Sequence, residues 1–519
     1  PVFVHEGPLP SVEFPDVSLT EYVLANAAAQ GDKPALIDGP TGRVLTYTQL
    51  DDQVRRLAGG LVERGLRPGD VVALMAPNIP EYAVVFHAVV YAGCAITTIN
   101  GTYTEREVHH QLVDSRAKLL ITVEPFLEVA RAGVIDTNVS DILLIGAQAQ
   151  DAAALTEWFG EPLTQQVPVT AESLAALPYS SGTTGINKGV MLTHRNLIAN
   201  VAQTSAGAGM RGDEVFIAVL PFFHIYGMQV LMNCGLHIGA TVVTMPRFDL
   251  AEFLQLHQQY GITRSFVAPP IVVALAKHPL VDQYDMSAVE QVFSGAAPLS
   301  AELALEAGAR LGCEVVQGYG MTEMSPVSHL TTPGGFKPGS VGVTAPSTAT
   351  RIVDPESGED LDVDLDGEIW VRGPQVMPGY LNNESATREC LDADGWLHTG
   401  DIGHIDSDGH LFVVDRLKEL IKVKGFQVAP AELEALLLTH PAVADAAVVG
   451  RQDDRAGEVP VAFVVLKAGQ EVSEADLKKF VADQVAHYKQ IDSITFTETI
   501  PKSASGKILR RLLRDSLAL

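Results

Sequence analysis

Apolar residues along the first third of the chain recur with two different periods. Short continuous runs, Ala35 to Ile37 and Val71–Met75, read as buried strands. Between them a helix opens near Thr48, with Leu50, Val54, Leu57, Leu61 and Val62 on one face and Gly65 as its terminator. Pro80 marks the next helix start, because proline's fixed φ and missing N–H suit a first helical turn. Strand-like runs return at Thr241–Met245, at Ser265–Ala268 and around Val292 and Phe293, each followed by polar or helical sequence. That alternation predicts parallel or mixed sheets covered by helices.

Between residues 339 and 415 the pattern shortens to β-like runs such as Gly367–Gly373 and His410–Val414, separated by Asp/Gly turns, which predicts a small barrel or β-rich subdomain. Beyond Arg416 a patterned basic stretch begins. A helix over 430–438, strands near 443–449 and 459–467, a helix over 474–486 and a terminal helix from about 507 then form a compact α+β unit. The expected fold class is α/β: a large N-terminal domain over 1–416, containing the subdomain at 339–415, and a smaller C-terminal domain over 417–519.

Composition narrows the function classes. The 519 residues exceed what one core usually supports, and 47% hydrophobic with 19% charged residues describes a folded soluble protein. A formal charge of −27 argues against a nucleic-acid partner, which needs a compensating basic surface. No apolar run reaches membrane-spanning length and no secretory pattern opens the sequence, so a cytoplasmic protein without a membrane span is expected. Cys94, Cys234, Cys313 and Cys390 are scattered without ligand spacing and read as reduced thiols; the adjacent His109 and His110 read as a solvated pair.

Against this acidic background four segments stand out. Residues 178–190 (PYSSGTTGINKGV) combine Ser180, Ser181, Thr183 and Thr184 with Gly182, Gly185 and Gly189 and one cation, Lys188, between two apolar runs. Glycines let backbone N–H groups approach anionic oxygens, hydroxyls add donors, and the lysine adds charge, which suits a polyphosphate better than a turn or linker. The spacing is not that of a Walker A loop. In Gln317–Glu323 (QGYGMTE), Glu323 could hold Mg2+ and Tyr319 could stack on a base, although a tight turn accounts for the same residues. Gly395–Asp401 places a carboxylate after a turn, suited to two ribose hydroxyls or to nothing beyond the turn itself. Pro501–Lys507 approaches a helix start with a lysine, where positive charge opposes the dipole; a solvated lysine and a mobile point charge both fit.

Taken together, in this order, the four segments resemble the adenylate-forming enzymes: acyl-CoA synthetases, peptide-synthetase adenylation domains and beetle luciferases. The stretch Arg416–Glu434 (RLKELIKVKGFQVAPAELE) and the run Pro221–Gly227 (PFFHIYG) look most like 4-coumarate–CoA ligases and their bacterial relatives. The resemblance implies two steps, acyl-AMP formation from a carboxylic acid and ATP with Mg2+, then displacement of AMP by coenzyme A. It implies that Ser180, Ser181, Gly182, Thr183, Thr184 and Lys188 hold the β- and γ-phosphates, with Thr183 and Glu323 at the metal. Lys507 would bridge the carboxylate and the α-phosphate, and Asp401, assisted by Arg416, would take the ribose. Gly295, Ala296 and Ala297, with Gln317, Gly318, Tyr319, Gly320, Met321 and Thr322, would wall the adenine and adenylate.

By the same resemblance Lys418 is the hinge about which a mobile C-terminal domain swings. Lys422 and Gln427 would serve the adenylate, Lys424 and Gly425 the pantetheine route, and Arg247 the coenzyme A phosphates. His224, Tyr226, Gly295, Gly320, Pro326 and Val327 would surround the acyl group. His224 stands where adenylation domains for amino acids carry an aspartate, which argues against an amino-acid substrate. Gly295 and Gly320 suggest a thin slot for 4-coumarate or a related aryl acid. A medium- or long-chain fatty acid, or an acyl-AMP product feeding a carrier protein, is the alternative. Asn187 departs from the family's usual proline and would leave the phosphate loop more mobile.

Overall fold

A computed structural model describes residues 3–180, 187–504 and 506–517. The expectations for Ser181, Gly182, Thr183 and Thr184 lie outside these residues.

Two long sheets dominate the N-terminal part. In the first, Val71–Met75 lies at the centre with Ala95–Thr98 and Leu119–Thr122 parallel on either side, and the path runs outward through Leu174–Ala176 to Lys188–Thr193. In the second, Val215–Ala218, Arg264–Val267, Gln291–Ser294 and Glu314–Gly320 run parallel, with Thr241–Thr244 and Pro34–Asp38 beyond. The helix Pro80–Tyr91 packs against strands of both sheets. Apart from Glu81 at its start the helix is buried on every side, which explains its apolar sequence without a polar face.

Local chemistry sets the element ends. The helix expected near Thr48 spans Tyr47–Glu63 and is closed by a reciprocal cap: Gln49 N–H donates to Thr46 Oγ1 at 3.2 Å, and Thr46 N–H to Gln49 Oε1 at 2.9 Å. The β-rich subdomain is a five-stranded sheet whose order brings His5–Glu6 beside Ala349–Val353, then Gly367–Arg372, Leu397–Ile405 and Leu411–Arg416. No periodicity in the first residues marks that edge strand.

Residues beyond 416 build a further sheet, in which the strands Val443–Asp453 and Gly457–Leu466 pair antiparallel over a core of Leu433, Leu437, Val448, Val464 and Leu477. Two expectations there need correction. The helix expected over 474–486 stops at Ala482 and is followed by a short turn at His487–Lys489. The terminal helix starts at Arg510, not 507. Lys502 bridges Ile508, Ser503 N–H donates to Lys507 O, and Lys507 N–H donates to Ser503 Oγ, so Lys507 sits in a closed loop rather than on a helix end. The dipole argument therefore does not apply to it. None of the four cysteines forms a disulfide, and burial pushes the Cys94 and Cys234 thiols up to about 12, leaving them inert. No helix among the described residues is long and apolar enough to cross a membrane.

Candidate active site

The carboxyl ends of the parallel strands in the second sheet converge on one edge, the place where open α/β sheets present ligand sites. Gly295 follows Gln291–Ser294, Gly320 ends Glu314–Gly320, and Ala268 follows Arg264–Val267. Two partners from other elements join them. Tyr319 donates from its hydroxyl to Asp401 Oδ2 at 2.6 Å, and antiparallel pairing of Leu397–Ile405 with Leu411–Arg416 sets Asp401 opposite Arg416, whose Nε lies 3.7 Å from Asp401 Oδ1. Burial raises the Asp401 carboxyl above its ordinary range, while Arg416, the Tyr319 hydroxyl and Lys507 pull it back. Tyr319 is thus committed through its hydroxyl, with its ring still half-buried at the edge.

Glu323 lies in the buried turn Thr322–Met324. The Tyr380 hydroxyl donates to its Oε1 at 2.7 Å and the Ser180 hydroxyl reaches the same oxygen at 3.5 Å. Lys188 stands over the Tyr380 ring, 4.5 Å from its centroid. Among the described residues no three His, Cys, Asp or Glu side chains gather into a metal cage. Mg2+ needs none, since it usually takes one or two carboxylates plus substrate phosphates and water, and a buried carboxylate with hard oxygen donors fits that demand.

Lys507 reaches this cluster from the far end of the chain. Its loop packs on the N-terminal part at Gly506, whose φ is +84° and where an added Cβ would lie 3.1 Å from the Ala268 Cβ. Burial lowers the Lys507 ammonium, Arg416 adds to that, and Asp401 and Glu323 oppose it. Burial, helped by Lys507, pulls His224 down to about 3, so its imidazole is neutral. Its Nδ1 accepts the Tyr226 N–H at 3.2 Å, which assigns the proton to Nε2.

Of the residues expected on the acyl side, Gly295 lies against Tyr226 and Gly320 against Pro326 and Val327, and the two glycines do not open a slot. An added Cβ at Gly295 would meet the Tyr226 ring at 2.8 Å, and one at Gly320 would meet the Pro326 carbonyl oxygen at 2.1 Å. The space is already filled by Tyr226, whose hydroxyl donates to Phe293 O at 3.2 Å, and by the backbone at Pro326 and buried Val327. Ala296 and Ala297 are half-buried, Ala296 with φ +75° at the bend. Gln317 is spent on the protein: its Oε1 accepts the Leu299 N–H and its Nε2 donates to Leu299 O, which pins the 295–299 loop. Gly318 lies against Phe293, Met321 N–H donates to Pro326 O, and Thr322 is buried.

Other expected residues stay apart. Lys422 and Gln427 are exposed cross-strand neighbours on the hairpin Ile421–Val428, with Lys424 at φ +49° and Gly425 at its exposed tip. Lys418 is exposed in the turn Leu417–Glu419, and Arg247 is exposed on the loop after Thr241–Thr244. Asn187 is tethered rather than loose, for its Nδ2 donates to the Tyr103 hydroxyl at 2.6 Å. Tyr380 and Tyr103 escaped the sequence reading. Their only sequence signal is an aromatic beside a turn, Gly379–Tyr380 and the residue before Thr104, too common to single out.

Residues 23–381 match the family model for the AMP-binding enzyme, and residues 432–507 match that for the AMP-binding enzyme C-terminal domain. The chain is 44% identical to 4-coumarate–CoA ligase 1 of Petroselinum crispum over 99% of this chain and 97% of the relative, and 43% identical to 4-coumarate–CoA ligase 1 of Arabidopsis thaliana over 99% and 95%. Among solved structures it resembles the anthranilate CoA ligase AuaEII in complex with anthranoyl-AMP, with TM-score 0.91, 26% identity and coverage of 98% and 99%. ATP-bound MatB from Rhodopseudomonas palustris gives TM-score 0.87, 29% identity and coverage of 96% and 99%.

Proposed function

The chain belongs to the AMP-binding enzymes and is an AMP-forming acid–CoA ligase, and on that premise we propose that its acid is 4-coumarate or a related aryl acid. In the first half-reaction a carboxylate oxygen bonds to the α-phosphorus of ATP and pyrophosphate leaves. In the second the coenzyme A sulfur bonds to the acyl carbon and AMP leaves. Lys507 neutralises the carboxylate and α-phosphate as they meet, Lys188 holds the outgoing phosphates, Asp401 with Arg416 takes the ribose, and neutral His224 borders the acyl group. Glu323 would hold Mg2+, which supplies charge neutralisation along the triphosphate.

The observation that carries this reading is the seating of the Lys507 loop on the N-terminal part, Gly506 against Ala268, which puts the lysine's charge within range of Asp401, Glu323 and His224, groups from three separate elements. The choice of an aryl acid rests on the resemblance to ligases of 4-coumarate, because Gly295 and Gly320 no longer argue for a slot. A panel of aryl, medium-chain and long-chain acids, assayed for AMP release with and without coenzyme A, tests it. Preference for a fatty acid overturns the aryl assignment, and acyl-AMP that accumulates despite coenzyme A overturns the thioester product.

The reading also includes a domain boundary at 416 and a hinge at Lys418. With the hairpin Ile421–Val428 turned outward, the arrangement suits the first half-reaction, and rotation would bring Lys422, Lys424 and Gln427 inward. Lys424→Ala then leaves pyrophosphate exchange intact while acyl-CoA formation falls about tenfold, the worth of one hydrogen bond to a charged group. Equal losses in both assays would remove Lys424 from the pantetheine route. For the phosphate loop, Tyr103→Phe deprives Asn187 of its partner and raises KM for ATP about 2–5-fold at unchanged kcat. Adding Asn187→Pro restores the value by stiffening the backbone instead. An unaltered KM in Tyr103→Phe would show that the tether has no part in nucleotide binding.

A further inference from the structure

Lys188 and Glu323, two of the groups assigned to the triphosphate, meet on one side chain that none of the four motifs contains. Tyr380 gives its hydroxyl hydrogen to Glu323 Oε1 at 2.7 Å and its ring to the Lys188 ammonium, 4.5 Å from the centroid. The backbone fixes the ring in that place. Gly379–Tyr380 pairs with the phosphate-loop strand Lys188–Thr193, Tyr380 opposite Val190, and Leu381 N–H donates to Gly189 O at 2.8 Å. On its other side Tyr380 N–H donates to Thr387 Oγ1 at 2.9 Å, tying the strand to the helix Glu384–Cys390. Tyr380 and Glu323 are both buried, so their hydrogen bond is shielded from bulk water.

Each contact restricts a group that is otherwise adjustable. A carboxylate spins about its last bond, and fixing Oε1 to a hydroxyl directs the other oxygen. A lysine carries about 2 kcal/mol of rotamer entropy, and a seat on an aromatic face reduces what remains to be lost on binding an anion. From this geometry we propose that Tyr380 is a positioning residue for the metal–nucleotide complex. Its hydroxyl sets the Glu323 carboxylate for the metal, and its ring sets Lys188 for the phosphates. The proposal rests on the ligase reading above.

Two variants separate the two contacts. Tyr380→Phe keeps the ring under Lys188 and loses only the hydroxyl; Tyr380→Leu loses both. Binding is measured by titration calorimetry without acid or coenzyme A, once with Mn2+ and ATP and once with ATP in chelator, alongside the KM and kcat of pyrophosphate exchange with Mg2+. For Tyr380→Phe the expected result is an affinity for Mn2+·ATP about 5–10-fold weaker, with metal-free ATP binding unchanged. KM for Mg2+·ATP should rise with it more than kcat falls. Tyr380→Leu should also weaken metal-free ATP about 2–5-fold. Tyr380→Phe is the conservative change and carries the test if Tyr380→Leu fails to fold. A Tyr380→Phe protein with unaltered affinity for both forms, or with equal loss for both, overturns the proposal. Wild-type protein that binds neither form overturns the ligase reading beneath it, which is a distinguishable failure.

Discussion

Replacing Lys507 with alanine lowers carboxylate-dependent exchange of pyrophosphate into ATP by about 10²–10³, the usual loss when a preorganised charge facing the transition state is removed. The size of the effect follows from how the residue is presented. The bridge between Lys502 and Ile508, the Ser503 side chain on Lys507 N–H and the Lys502–Asp445 ion pair fix the residues on either side of Lys507, and Gly506 seats against Ala268. The backbone of Lys507 is therefore held in place, and its ammonium lies within reach of the charges of Asp401 and Glu323. The second half-reaction needs no such charge at the α-phosphorus, so the variant should still convert supplied acyl-AMP and coenzyme A to acyl-CoA within about threefold of wild type. This follows from its losing an interaction made only in the first transition state. Exchange unaffected by the substitution would sink the role given to Lys507; parallel loss of both half-reactions would point to collapse of the loop.

The second large effect is on stability. Glu214→Ala should destabilise the N-terminal part by about 3–5 kcal/mol, because it strands a buried guanidinium. Arg264 is 6% exposed and Glu214 fully buried at the side chain, with Arg264 Nη2 at 2.9 Å from Glu214 Oε1. Arg264 Nη1 donates to Ala208 O at 2.9 Å, and Arg211 N–H donates to Glu214 Oε2 at 2.8 Å. The pair fastens the amino ends of Val215–Ala218 and Arg264–Val267, strands whose opposite ends carry the His224 loop and Ala268. Chemical denaturation followed by Trp fluorescence and by circular dichroism reads the loss. The double variant Glu214→Leu with Arg264→Met should recover most of it, since a well-packed apolar pair avoids the desolvation cost. A Glu214→Ala midpoint equal to wild type would mean that the ion pair carries no net stability.

Legibility differs between parts of the molecule for a physical reason. The central strands and the helix Tyr47–Glu63 announce themselves through period and capping, which are properties of neighbouring residues. The site segments announce themselves through chemistry that is costly to carry without use: glycines, hydroxyls and one lysine in 178–190, and lysines clustered at 418–424 in a chain of charge −27. The contacts that organise the site are of another kind. Ser180 and Glu323 are 143 residues apart, Asn187 and Tyr103 84, Tyr319 and Asp401 82, and Tyr380 and Glu323 57. No local period encodes such pairs. The same holds for His5–Glu6, too short to show alternation, and for Gln317, whose amide could equally have faced a ligand until Leu299 was seen to occupy it.

The sequence by itself determined the central strands, the helix Tyr47–Glu63, the four runs that stand out as candidate chemistry and the family whose order they follow, because each is written in contiguous residues. Tertiary structure alone decided what those residues face. It filled the bare Cα of Gly295 with the Tyr226 ring, turned Asn187 from a loosened loop position into a tethered one, moved Lys507 off a helix end into a closed loop, and introduced Tyr380 beneath Lys188. Space, hydrogen-bond partners and local charge depend on chains brought together from far along the sequence, and a missing side chain means an open slot only if nothing else has come to fill it.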